Sequence, residues 1–195
     1  MSLGRIIAAI LGFIVFIVIM VNLFTGHKPA PVNTVALKPL PDYASSDATV
    51  SFTADGIING DEMHRAIRVT VSANQRTLDV LQGYNPQVIL TKSFENNQEA
   101  YDVFLRALAN AGFLVKSKNS KAVTDERGLC PLGFRYILDL NQDGDDLSRL
   151  WASSCSTSLG NAAGQVATIR QLFQDQIPDY ETITGPVNLS ATTDL

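Results

Sequence analysis

Two stretches, Thr49-Val-Ser-Phe-Thr-Ala-Asp55 and Arg65-Ala-Ile-Arg-Val-Thr-Val-Ser-Ala73, decide the fold. In the first, Val50 and Phe52 alternate with Thr49, Ser51 and Thr53. In the second, Ile67, Val69, Val71 and Ala73 face one way and Arg68, Thr70 and Ser72 the other. Successive strand side chains point to opposite faces, so a strict period of two marks half-buried strands of an antiparallel sheet. Asp55-Gly56 reads as a turn between them. Further on, Thr77 to Leu81 and Gln87 to Phe94 flank the turn Gly83-Tyr84-Asn85-Pro86 and predict a hairpin with Val88 and Leu90 inward.

The period then changes. Ala100, Phe104, Ala107, Leu108 and Ala111 recur at helical spacing, with Asn96 and Glu99 as a capping box and Gly112 as the stop. Phe113 to Lys116 restarts a strand. After a polar segment, Gly133 to Leu140 and Leu147 to Cys155 predict a second hairpin. Val166, Ile169, Phe173 and Ile177 then repeat at threes and fours in a helix over Ala162 to Ile177, capped at Asn161 or an upstream hydroxyl and ended by Pro178. Hairpins rather than alternating strand and helix predict an α+β domain, one mainly antiparallel sheet with two amphipathic helices packed on it.

Before this domain lies Ile6 to Phe24, an apolar run whose one polar side chain is Asn22. At ~1.5 Å per residue a helix of that length reaches ~28–29 Å, close to the ~30 Å hydrocarbon core of a bilayer. The alternative is a cleaved secretory signal, but bulky Leu23 and Phe24 stand where such a cleavage site needs small residues. The expected organisation is a cytoplasmic tail (1–5), a transmembrane helix acting as signal-anchor (6–24), a Pro-rich stalk (25–47), an extracytoplasmic domain (48–180) and a loosely held tail (181–195). Pro29, Pro31, Pro39 and Pro41 suggest the stalk, although Val35, Leu37 and Leu40 also suit an edge strand. Flanking charge barely orients the anchor. The short N-terminal tail and the two cysteines favour a single-pass cell-membrane protein with its N-terminus inside and its domain outside.

All nineteen acidic residues but only fourteen of the fifteen basic ones follow the apolar run, a net charge of −5 for that portion. Such a balance argues against nucleic acid as a partner, which demands a basic face. Cys130 and Cys155, the two cysteines of the chain, are expected to form a disulfide around the second hairpin. Neither a Cys-x-x-Cys redox pair nor a metal-ligand spacing is present.

Asp139-Leu-Asn-Gln-Asp-Gly-Asp145 resembles the first half of an EF-hand calcium loop, in which Asp139, Asn141, Asp143 and Asp145 would be the candidate ligands. Leu147 and Leu150 stand where the ninth and twelfth ligands belong, so a hairpin turn competes with a weak calcium site. Histidine is scarce. A hydrolase would have to use His64 with Asp61 and Glu62, and no Gly-x-Ser-x-Gly surrounds any serine. Trp151, with Arg149 on the same side of its strand and Arg135 near, offers a binding surface if it points outward; inward, it packs beneath the last helix. The function these residues suggest is binding or scaffolding of a protein partner at the cell surface. A surface hydrolase and a calcium-dependent adhesion module are the alternatives.

Overall fold

The computed structural model describes residues 37–155 and 159–190. Among these residues, six strands form one antiparallel sheet: β1 (Thr49–Asp55), β2 (Arg65–Val71), β3 (Gln75–Gln82), β4 (Gln87–Glu95), β5 (Arg135–Gln142) and β6 (Asp145–Ser153). Their spatial order is β4-β3-β2-β1-β5-β6. Helices α1 (Gln98–Asn110), α2 (Val166–Gln174) and α3 (Tyr180–Thr184) and a 3-10 turn at Leu40–Tyr43 complete an α+β fold. The proposed tail and anchor (1–24), most of the stalk and residues 191–195 lie outside the described residues, and no described helix is long and apolar enough to cross a membrane.

The register explains the core. Phe52 stands opposite Val69 on one side and Leu138 on the other, Val69 faces Leu78, and Leu138 faces Leu150. That apolar face is covered by α1 and α2. Phe173 of α2 is fully buried at its centre, with ring centroids 5.7 Å from Phe52, 6.0 Å from Phe113 and 5.2 Å, edge-on, from Phe104. The buried side of α1 is Tyr101, Phe104, Leu105 and Leu108, so the larger side chains displace Ala100 and Ala107 from the centre of the expected stripe. Tyr101 tolerates complete burial because its hydroxyl donates to Ala48 O at 2.8 Å, and burial pushes that phenol well above its ordinary range.

Caps differ from expectation by one residue or more. Asn97, not Asn96, accepts the Ala100 N–H at 2.9 Å, while the Asn96 amide ties back to Ser72 O. Gly112 does end α1, at φ 81°, a left-handed conformation that side chains resist. Phe113 is buried, but the predicted strand there reduces to one bridge, Lys116 to Ala162. α2 begins at Val166 rather than Ala162. The segment before it instead runs along the outer edge of β6, where Asn161 Oδ1 accepts the Trp151 N–H and the Ala162 N–H donates to Trp151 O.

The packed body is longer than expected at both ends. Pro39 and Pro41 start the 3-10 turn, which points Leu40 and Tyr43 into the core, so the body begins at Leu37 rather than within a stalk reaching residue 47. Proline at the first helical positions loses no hydrogen bond there. Beyond residue 180, α3 buries Thr184, and Leu189 O accepts the Ile57 N–H at 3.1 Å, so this part of the expected loose tail is docked.

Candidate binding groove on the open face of the sheet

The opposite face of the sheet is built mostly from small polar and charged residues in cross-strand rows, with Ile137 and Trp151 toward β6. One row runs Thr91, Asp79, Arg68, Thr53, Ile137, Trp151; the next runs Ser93, Thr77, Thr70, Ser51, Asp139, Arg149. No helix covers these rows among the described residues. Over β6, however, the connection from α1 to β5 folds back: Trp151 donates its indole N–H to Val123 O at 2.8 Å and is 1% exposed. The wall so formed, with the 56–64 segment and the β3–β4 turn opposite, leaves a groove of about 550 Å³ over β1, β2 and β5.

The fixed points of the groove are ion pairs. At one end Asp55, on the last residue of β1, accepts from Arg135 Nε at 2.7 Å and from His64 Nε2 at 2.8 Å. Arg135 is 2% exposed and also donates to the carbonyls of Gly56, Leu129 and Cys130, which joins the sheet to the disulfide-bonded loop. Cys130 and Cys155 are bonded as expected. Gly133 passes against the bridge so closely that a Cβ there would stand 2.6 Å from Cys130 Sγ. At mid-groove Arg68 pairs with Asp79 at 3.2 Å, and Asp79 also accepts from the Thr91 hydroxyl.

At the far wall Arg149 bridges Glu126 and Asp139. Burial pushes the Asp139 carboxyl up despite that pairing, while the two carboxylates outweigh burial at Arg149 and hold its guanidinium above its ordinary value. The asymmetry follows enclosure: the Asp139 side chain is 17% exposed and that of Arg149 46%. On the rim, hydrogen bonds from Arg127 hold the Asp125 carboxyl down to about 2.

His64, Asp61 and Glu62 do not converge on a reacting position. His64 is 4% exposed, its Nδ1 lies 3.1 Å from Ile57 O and its Nε2 2.8 Å from Asp55, so both ring nitrogens are engaged by the domain itself. Asp61 accepts the Tyr84 N–H at 2.8 Å, and Glu62 is exposed beyond it. Tyr84 stacks on the His64 ring at 4.2 Å, which closes that end of the groove.

Two members of the expected binding surface are interior. Trp151 and Arg135 point to the polar face, but the 116–130 connection and the disulfide loop bury them; Arg149 alone of the three faces the groove. The calcium candidates are separated as well. Asp139 is held by Arg149, Asn141 sits at a bulge, and Asp143-Gly144 forms a two-residue hairpin turn with φ 55° and 86°. These are type I′ values, which match the twist of the flanking strands. The hydrogen bond that a protonated Asp143 donates to the Asp47 carboxylate, together with that neighbouring negative charge, pushes the Asp143 carboxyl up. No cluster of three His, Cys, Asp or Glu side chains suited to a metal ion occurs among the described residues.

Asp55, Arg68, Asp79, Tyr84 and Glu126 were not singled out by sequence. Their signal is the polar half of the strand alternation, Ser51-x-Thr53-x-Asp55 against Arg68-x-Thr70, which reads equally well as a solvated face. The fold and groove thus define an antiparallel sheet sealed by helices on one face and open and polar on the other. No protein-family model matches the chain, and no curated protein matches it in sequence.

Proposed function

We propose that the protein is a membrane-anchored, single-pass binding domain displayed outside the cell, which holds its ligand in the groove over β1, β2 and β5. The observation that carries this reading is a concave sheet face whose charged side chains are already fixed by one another, with floor residues Ser51 and Thr53 enclosed but facing it. Preorganised polar groups lower the ordering cost of binding. The volume suits a ligand or a short chain segment. The apolar run at 6–24 supports the anchor, and a disulfide supports an oxidising compartment.

The test uses full-length protein in detergent, applied to envelopes of its own host cells. Wild type is expected to be retained, and Thr70→Tyr, which projects a strand-favouring bulky side chain into the groove, is expected to be lost at unchanged melting temperature. Equal retention of both, or none of wild type, overturns the reading. Should Thr70→Tyr melt earlier, Ser51→Ala takes its place and is expected to weaken retention. Placement is tested separately with a membrane-impermeant thiol reagent on intact cells. Labelling of Cys130 and Cys155 after reduction alone supports display outside, whereas labelling only after permeabilisation, without reductant, contradicts it.

A further inference from the structure

We infer that the ligand of this groove is a neutral saccharide chain with free hydroxyls on adjacent ring carbons, an inference that rests on the groove being the binding site. The charges of the groove argue first. Each guanidinium around it already holds a carboxylate: Arg68 with Asp79, Arg149 with Asp139 and Glu126, Arg127 with Asp125, and buried Arg135 with Asp55. A phosphate or carboxylate ligand would have to displace one of these partners, and a basic peptide would have to compete with an arginine already in place except at Asp146, which lines the groove outside these pairs. Asp55, Asp139 and Glu126 are largely enclosed, so parting any of them from its arginine leaves an uncompensated charge, and an ionic ligand begins at a disadvantage there.

A sugar hydroxyl meets no such conflict, because it donates and accepts at once. It can donate to a carboxylate oxygen and accept from the adjacent guanidinium without separating them. The floor offers the same dual chemistry. Ser51, Thr53 and Thr70 lie on neighbouring strands, with Ser51 directly opposite Thr70, and their hydroxyls are not engaged by the ion pairs beside them. Alternate residues along a strand stand ~6.6–6.8 Å apart and neighbouring strands ~4.7–4.9 Å apart, so these hydroxyls form a regular lattice rather than a single point of contact. Asn141, near the Asp146 end, keeps a buried Oδ1 without a donor among the described residues.

The apolar side of a sugar ring also has a counterpart. Tyr84 is 50% exposed at the other end of the groove, with one ring face on His64 and its hydroxyl held between Asn59 N at 3.0 Å and Asn59 O at 2.9 Å. A ring fixed at two points presents its remaining face without further loss of freedom, and the C–H face of a pyranose packs on such a surface.

The experiment extends the envelope retention assay with full-length protein. Envelopes are oxidised with periodate, which cleaves vicinal diols, then quenched and washed; parallel samples are protease-treated or assayed in about 0.5 M NaCl, where surface charge is screened within a few ångströms. Retention is expected to fall about tenfold or more after periodate, to change less than about twofold in salt, and to be weakened about tenfold by Tyr84→Ala and less by Tyr84→Phe, which keeps the ring on His64 and loses only the hydroxyl's hold on Asn59. Retention that survives periodate overturns the inference, as does loss to salt, which marks an ionic ligand. Loss to protease with periodate resistance assigns the groove to a peptide. In each of these cases the difference between wild type and Thr70→Tyr on untreated envelopes persists, so the groove stands as a site while its saccharide assignment falls.

Discussion

The two faces of the sheet are made from the same strands and held by opposite means. On one face Val50, Phe52, Val69, Leu78, Leu138 and Leu150 are closed over by α1 and α2, and stability comes from apolar area and shape. On the other, order comes from paired charges, Asp55 with Arg135 at one end and Arg68 with Asp79 and Arg149 with Asp139 along the strands, and the face stays open. The difference is one of means: apolar packing holds the closed face together, and mutual pairing holds the polar groups of the open face in fixed positions.

The comparison breaks most sharply at one residue on each side. Phe173→Ala leaves a cavity among Phe52, Phe104 and Phe113 and is expected to cost about 3–5 kcal/mol in chemical denaturation. Arg135→Leu removes no core volume on the helical side, yet it takes the guanidinium from largely buried Asp55, leaving it His64 alone of these two partners, and is expected to cost about 3–5 kcal/mol as well. A cost below about 1 kcal/mol for Arg135→Leu would show that the polar face is not held by that pair.

Next in size is the disulfide. The double variant Cys130→Ser, Cys155→Ser frees a loop with a separation of 25 residues and is expected to lose about 3 kcal/mol, with a matching loss for wild type in reductant. Because this loop supplies carbonyls to Arg135, its removal should also loosen the wall at Glu126 and Trp151, read as a red shift of Trp151 fluorescence.

The smallest effect sharpens the account of the β5–β6 turn. Asp143→Asn keeps a residue suited to a type I′ turn and removes the carboxyl that Asp47 pushes up. A carboxyl whose folded-state value is raised contributes stability fully below the ordinary carboxylate range and loses it as pH rises through the raised value. The variant should therefore melt slightly higher than wild type at pH 7, and that advantage should vanish in acid. An advantage that grows in acid would reverse the sign of this contact.

The closed face was the legible one. Alternation in Thr49–Asp55 and Arg65–Val71 located β1 and β2, and the 166–177 periodicity located α2, because burial of one face writes a period directly into the chain. The polar face wrote the other half of the same period, but polarity alone does not distinguish a groove floor from a solvated surface. Trp151 shows the reason. Its strand reading put it opposite Leu150, correctly, and its exposure was then decided by the 116–130 connection, a segment without period whose path depends on contacts far along the chain. Asn161 is a similar case: a residue suited to capping a helix seals a strand edge instead, where it accepts the Trp151 N–H at 2.7 Å.

The central claim, that the open face is the contact face, is tested most directly by photo-crosslinking from two positions of the full-length protein on host-cell envelopes. A photoreactive side chain replaces Arg127 on the rim of the groove in one sample and Val103, exposed on α1 over the closed face, in the other. Adducts from position 127 and none from position 103 are expected. Adducts from 103, with 127 silent, would place contact on the helical side and contradict the division of labour between the two faces.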